Sequence, residues 1–246
     1  MNRIEITPVI KQILIACVVL FLGTYLLESR NVYDLNGLLA MHFPNSPLFK
    51  PWQIITHMFM HGGIAHLAFN MFALVSMGVI IEKVMGGKRF FQLFFFSGLG
   101  AIVLHLGIQV WQVHSITGLW LPSLSDMGLK IEGEQIFSNG SVIKSNEDLN
   151  KLGGIYFQTL LGASGAIYGV VVAFAFLFPN TELMLMFIPY PIRAKYLVPG
   201  LIALDMFFGF SNFTWDPVAH FAHLGGALTG LILVYYWRKK DRSQFW

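Results

Sequence analysis

Long apolar runs alternate along this chain with short clusters of charge, glycine and proline. The runs are too uniformly hydrophobic for the one-sided stripe of a surface helix. Six of them, at about 12–27, 64–81, 90–110, 157–178, 196–210 and 218–237, approach the roughly 20 apolar residues that carry a helix across a hydrocarbon core. The fifth is the shortest and contains Pro199, Gly200 and Asp205, so hydropathy leaves it open between a kinked span and a re-entrant segment. The first follows Arg3 and Lys11 as a signal-peptide core would, but no small-residue cleavage site follows Leu27, and it is taken as a retained span. Between the spans lie two long loops, 28–63 and 111–156. Within the second, Ser145 to Leu152 has the pattern of a short capped helix.

Composition strengthens the membrane reading. Of 246 residues, 55% are hydrophobic and only 12% charged, about half the charge of a soluble domain. The lone cysteine, Cys17, excludes a disulfide scaffold, and a net charge of +3 is too small to argue for nucleic acid. With a cytoplasmic N-terminus, Arg3, Lys11, Lys83, Lys88, Arg89, Arg193, Lys195, Arg238, Lys239, Lys240 and Arg242 fall on the inner face, 11 of the 16 basic residues. That asymmetry predicts both termini cytoplasmic. No internal repeat supports an inverted-repeat transporter.

Polar side chains inside a span are costly and mark function by default, and here they cluster. The second span opens with His57, His61, His66 and Asn70, the fourth with Gly162, Ala163, Ser164 and Gly165, and the sixth with His220 and His223. All three spans run from outside to inside, so the groups lie at similar depth. His66 with Asn70, and Ser164 with Tyr168, are spaced i, i+4 and share a helix face. Gly165 with Gly169 and Gly226 with Gly230 form small-xxx-small faces that permit close backbone approach, which would bring Ser164 to His223. A serine becomes nucleophilic when a neutral histidine takes its proton, and His66, Asn70 and the Ser164 backbone N–H can supply oxyanion donors. No acid is close to His223 in sequence, so a Ser-His dyad is the economical reading.

These three motifs resemble those of the rhomboid intramembrane serine proteases, in their bacterial six-span form. The resemblance covers roughly residues 45–110 and 155–237 and implies an all-α polytopic membrane protein, a six-transmembrane-helix bundle forming one domain over residues 1–246. By that resemblance Ser164 is the nucleophile, His223 the general base, and His66 and Asn70 serve the oxyanion. Tyr168 would pack on the His223 ring, with Gly162, Gly165 and Gly226 in support, and the fifth segment would be a true helix. The implied activity is an endopeptidase acting on transmembrane or juxtamembrane segments of membrane-protein substrates. It needs the lipid bilayer and no metal or other cofactor, sits in a bacterial inner membrane, and opens its site to the outer face. One departure is visible: where the family often carries Trp-Arg in the first outer loop, this chain has Trp52 and Gln53.

Bland readings stand beside these. His57, His61 and His220 suit hydrogen-bonded anchors, Glu82 an inner-face anchor, and His105 and His114 structural positions. A metal or haem protein would exploit the spacing of His57 and His61, but the His-Glu-x-x-His glutamate of zinc proteases is missing. A proteolytically silent relative that binds transmembrane helices is the other alternative, although that class normally lacks the Ser-His pair.

Overall fold

The structure is a computed structural model that describes residues 5–132, 135–138, 143, 145–185, 188–211 and 219–240. Helix α1 (Pro8–Ser29) leads into a first long loop holding α2 (Leu35–Leu39), α3 (Gln53–Thr56) and a 3-10 turn at His57–Phe59. Helix α4 (Ile64–Ala73) continues through a π turn (Leu74–Gly78) into α5 (Val79–Met85), and α6 is Gly87–Thr117. An antiparallel hairpin of β1 (Leu129–Glu132) and β2 (Gln135–Ser138) and helix α7 (Asn146–Phe157) precede α8 (Ser164–Leu177). A second antiparallel hairpin, β3 (Glu182–Leu185) with β4 (Ile188–Arg193), joins α8 to α9 (Ala194–Ser211). Helix α10 (His220–Lys240) follows.

Each predicted apolar segment contains a helix, and the fold is an all-α polytopic bundle. Among the described residues four helices, Pro8–Ser29, Ile64–Met85, Gly87–Thr117 and Ala194–Ser211, are long and apolar enough to cross a membrane, so the protein is a multi-pass membrane protein. The doubtful fifth segment is a continuous helix with Pro199 inside it. The fourth needs correction at its start. Hydropathy extends it from residue 157, but the helix begins at Ser164. Residues 158–163 are diverted into tertiary pairing instead: Leu160 and Met41 exchange backbone hydrogen bonds of 2.8 Å, and the Gly162 N–H donates to the His57 carbonyl. Within the strap Gln158 and Thr159 are exposed, Leu160 and Leu161 half-buried, and Gly162 and Ala163 buried, and hydropathy averaged over a window does not separate such a segment from the helix it precedes.

The loops are more structured than their polarity suggests. Ser145 caps α7 by accepting from the Asp148 N–H, as its pattern predicts, and the helix runs five residues beyond Leu152. It closes a small outer core of Phe43, Val113, Met127, Leu152 and Tyr156, with the Tyr156 hydroxyl donating to the Pro122 carbonyl. In the first loop Gln53 is fully buried. Its Oε1 accepts from the backbone N–H groups of His42 and Lys50, and its Nε2 donates to the carbonyls of Gly37, Leu38 and Leu48. The residue that departs from the family pattern is therefore the polar hub of this loop. At the other end of the bundle, buried Glu82 accepts from the Val9 and Ile10 N–H groups and caps α1.

The centre is built by α6, α8 and α10, which share the most extensive helix contacts. Glycine makes this approach possible. A Cβ on Gly226 would lie 1.8 Å from the Gly165 carbonyl oxygen, and one on Gly230 would lie 2.5 Å from the Gly169 Cα. By contrast, a Cβ on Gly107 would meet nothing within 4 Å. Gly226→Ala is therefore expected to cost about 1–3 kcal/mol by overpacking, read as a lower melting temperature in detergent, while Gly107→Ala leaves the melt unchanged or slightly raised. Equal melting temperatures for the two variants would contradict this packing.

Two buried histidines tie the first loop to the bundle. The His57 Nδ1–H donates to the Gln53 carbonyl at 3.0 Å and the His61 Nδ1–H to the Phe59 carbonyl at 3.3 Å. Loss of hydration on burial pushes both down to about 4 from an ordinary 6.5. The fold holds them neutral, so between about pH 6.5 and about 4 the unfolded chain binds protons that the folded chain does not. Their stabilisation is thus complete above about pH 6.5 and is lost as the pH falls through that window. Melting temperature should decline across it, and His57→Gln should flatten the decline; a wild-type profile level down to about pH 4.5 would refute the assignment.

Candidate active site

Helix α8 starts abruptly at Ser164 because Gly162, at φ +125°, turns the preceding strap in a conformation that side-chain-bearing residues avoid. A Cβ there would also lie 2.8 Å from the His66 Nε2 and 3.6 Å from the Ser164 Oγ. The missing side chain leaves open the space between them. The first N–H groups of α8 have no intrahelical acceptor, and they carry the positive end of the helix dipole toward the same space.

Across the glycine contact, α10 presents His223. Its Nε2 lies 2.9 Å from the Ser164 Oγ, and its ring stacks on Tyr168 with centroids 4.3 Å apart and planes within 8°. Tyr168 thereby fixes the plane in which the imidazole meets the serine. From α9, Asp205 reaches the other ring nitrogen: its Oδ1 is 3.3 Å from His223 Nδ1 and 2.6 Å from His220 Nδ1. Of the acids upstream of His223, Asp216 reads as a loop residue and lies outside the described residues, and Asp205, 18 residues upstream, reads as a flaw in the fifth apolar segment. Three-dimensional packing supplies the acid. The Ser-His pair expected from sequence is thus a Ser-His-Asp arrangement in geometry, with a second histidine on the same carboxylate.

His66 and Asn70 stand one turn apart on α4. The His66 ring meets the His61 ring edge-on at 5.1 Å. Asn70 is buried, and its Nδ2 has no hydrogen-bond partner among the described residues, an amide donor left without an acceptor. A cavity of about 600 Å³ is lined by Gly62, His66, Leu161, Ser164 and His223 among others, and Asn70 is not part of its lining. Of the remaining histidines, His57 and His61 serve as the anchors described above. His114 stacks on Trp120 at 3.9 Å, and His105 lines a smaller cavity with His42 and Gln158. Among the described residues the one group of three close metal-type donors is Asp205, His220 and His223, which does not include the His57–His61 pair.

The arrangement has the parts that acyl transfer requires: a hydroxyl on a base, an acid on that base, and donors across an open space. The chain is 28% identical over 192 residues to Rhomboid protein 1, mitochondrial, of Saccharomyces cerevisiae, covering 78% of this chain and 43% of that protein. It is 27% identical over 192 residues to Rhomboid protease AarA of Providencia stuartii, covering 74% and 54%, and 28% identical over 128 residues to Rhomboid protease GlpG of Salmonella typhi, covering 51% and 42%. It spans about half the length of the curated relatives it matches. The rhomboid domain matches residues 48–119 and 135–240, well over half of the chain, and on that match the protein belongs to the rhomboid family.

Proposed function

We propose that this chain is an intramembrane serine endopeptidase in which Ser164 is the nucleophile, His223 the general base and Asp205 the residue that positions the base. The contact that carries the reading is the 2.9 Å approach of Ser164 Oγ to His223 Nε2. Asp205 Oδ1 accepts the His223 Nδ1–H, which leaves the lone pair on Nε2, where the serine proton must go. As Ser164 Oγ bonds to the scissile carbonyl carbon, Nε2 takes that proton, and it returns the proton to the leaving amine when the C–N bond breaks. A water molecule then repeats the sequence on the acyl-enzyme, and Ser164 is released. Negative charge on the carbonyl oxygen would meet the Ser164 N–H, the Asn70 amide and His66 in the space that Gly162 leaves open.

The membrane context supports this reading. At 14 residues α8 spans only about 21 Å, against a hydrocarbon core of about 30 Å. With its far end at the inner boundary, beside the hairpin leading to Arg193 and Lys195, Ser164 sits about 9 Å below the outer one. The cavity then admits water and substrate from the outer face, with both termini cytoplasmic in a bacterial inner membrane. A helical substrate hides its amides in its own hydrogen bonds. Substrates with glycine, serine or proline near the outer end of their span, which unwind at least cost, are favoured.

Ser164→Ala and His223→Ala should each abolish cleavage of a model transmembrane substrate, and the double variant should be no worse than either single one. Asp205→Asn should lower kcat by about 10²–10⁴-fold, with KM and melting temperature little changed, because the base is left in the wrong tautomer. Substantial turnover by Ser164→Ala in detergent would sink the reading.

The oxyanion assignment makes a separate demand. Asn70→Ala should reduce kcat by about 10²–10³-fold; a rise in KM alone would make Asn70 a binding or packing residue instead.

A further inference from the structure

A serine protease mechanism uses one histidine on its acid, yet Asp205 Oδ1 holds two, with His220 Nδ1 at 2.6 Å and His223 Nδ1 at 3.3 Å. The two histidines sit three residues apart on α10, so they share a face. Their rings are nearly perpendicular, at 89°, and both Nδ1 atoms point at the carboxylate. Asp205 is 8% exposed, and the Tyr168 hydroxyl also lies against its carboxylate, so the group is a buried acceptor on which three side chains converge. The three donor atoms lie within 4.8 Å of one another.

We propose that Asp205, His220 and His223 form an inhibitory site for Zn²⁺. Two imidazole nitrogens and a carboxylate oxygen are zinc ligands, and three of them leave a fourth position for water; Mg²⁺ and Ca²⁺ prefer all-oxygen sets. Tetrahedral bonds of about 2.0–2.1 Å put donor atoms about 3.3 Å apart. The Asp205–His223 separation already matches this, and His220 needs to retreat by about 0.7 Å. The consequence for His223 is a matter of counting protons. A neutral imidazole has one ring N–H. With Nδ1–H on Asp205, the Nε2 lone pair faces Ser164. A metal ion bonded through the Nδ1 lone pair requires that proton to move to Nε2, with no net proton gained or lost. Nε2 then donates to Ser164 and cannot accept from it. Because the ion sits on the side of the ring away from the serine, the substrate cavity stays open, and inhibition appears in kcat with KM unchanged.

The inhibitory half of the proposal rests on the protease reading above, and metal binding does not, so two arms separate them. In the first, tag-free full-length Ser164→Ala protein in detergent is titrated with Co²⁺. Expected is one equivalent of saturable visible absorption typical of tetrahedral Co²⁺, displaced by Zn²⁺ and not by Mg²⁺. Affinity should fall about tenfold or more on adding either His220→Gln or Asp205→Asn. Absence of the band in the Ser164→Ala protein, or binding that survives both substitutions, overturns the site without reference to proteolysis. In the second arm, wild-type turnover of a transmembrane substrate is measured with Zn²⁺. A fall in kcat at constant KM, reversed by EDTA, is expected, and a rise in KM or no effect despite Co²⁺ binding overturns the inhibitory role. Turnover by Ser164→Ala would defeat the protease reading while leaving the first arm to decide the site.

Discussion

Everything at the proposed site depends on how closely α8 and α10 approach. Serine has one of the shortest polar side chains, so it reaches a histidine on a neighbouring helix only if the backbones nearly touch. They do so where Gly226 faces the Gly165 carbonyl and Gly230 faces Gly169. In water, burial of apolar area would drive such an approach. In lipid that force is absent, and small residues that let backbones pack supply it instead. A displacement of an ångström at this contact would stretch the 2.9 Å Ser164–His223 distance beyond hydrogen-bonding range. The glycines thus act on the chemistry without touching a substrate.

The second constraint is the cost of polar groups at this depth. Asp205, His220 and His223 would each be expensive in an apolar bundle, and each lowers that cost by bonding to the others. The carboxylate comes from α9, which has far fewer contacts with the bundle than α6, α8 and α10 have with one another. A helix held more loosely than the central three therefore carries the group that, on the proposed reading, sets the tautomer of the base. On the proposed reading, a shift of α9 would alter the Asp205–His223 contact while leaving the Ser164–His223 pair between α8 and α10 in place.

Much of this was legible in the sequence, where one periodicity governs both chemistry and packing. The i, i+4 spacings of His66 with Asn70 and of the paired glycines are helix-face statements, and the apolar runs locate the helices that bear them. What stayed hidden was long-range. Asp205 sits on a different helix from His223, so no spacing rule connects them, and hydropathy scores a buried carboxylate as a defect. Gln53 was visible as a departure from the family pattern, but its five bonds to backbone groups of the first loop depend on a fold that no local pattern encodes. Residues 158–163 misled because hydropathy averaged over a window leaves open where a helix begins.

That last error concerns the feature with the most consequences. Had α8 begun at residue 157, the Ser164 N–H would be bonded to a carbonyl one turn earlier and unable to meet an oxyanion. Starting the helix at Ser164 frees that N–H and directs the dipole at the cavity. It also shortens the helix to 14 residues, which in the proposed orientation puts the serine below the outer boundary of the bilayer and not at it. The price is a strap of residues 158–163 whose backbone must find partners elsewhere, which it does on Met41 and His57. The outer loop, by satisfying that strap, holds the start of α8 where the proposed chemistry needs it.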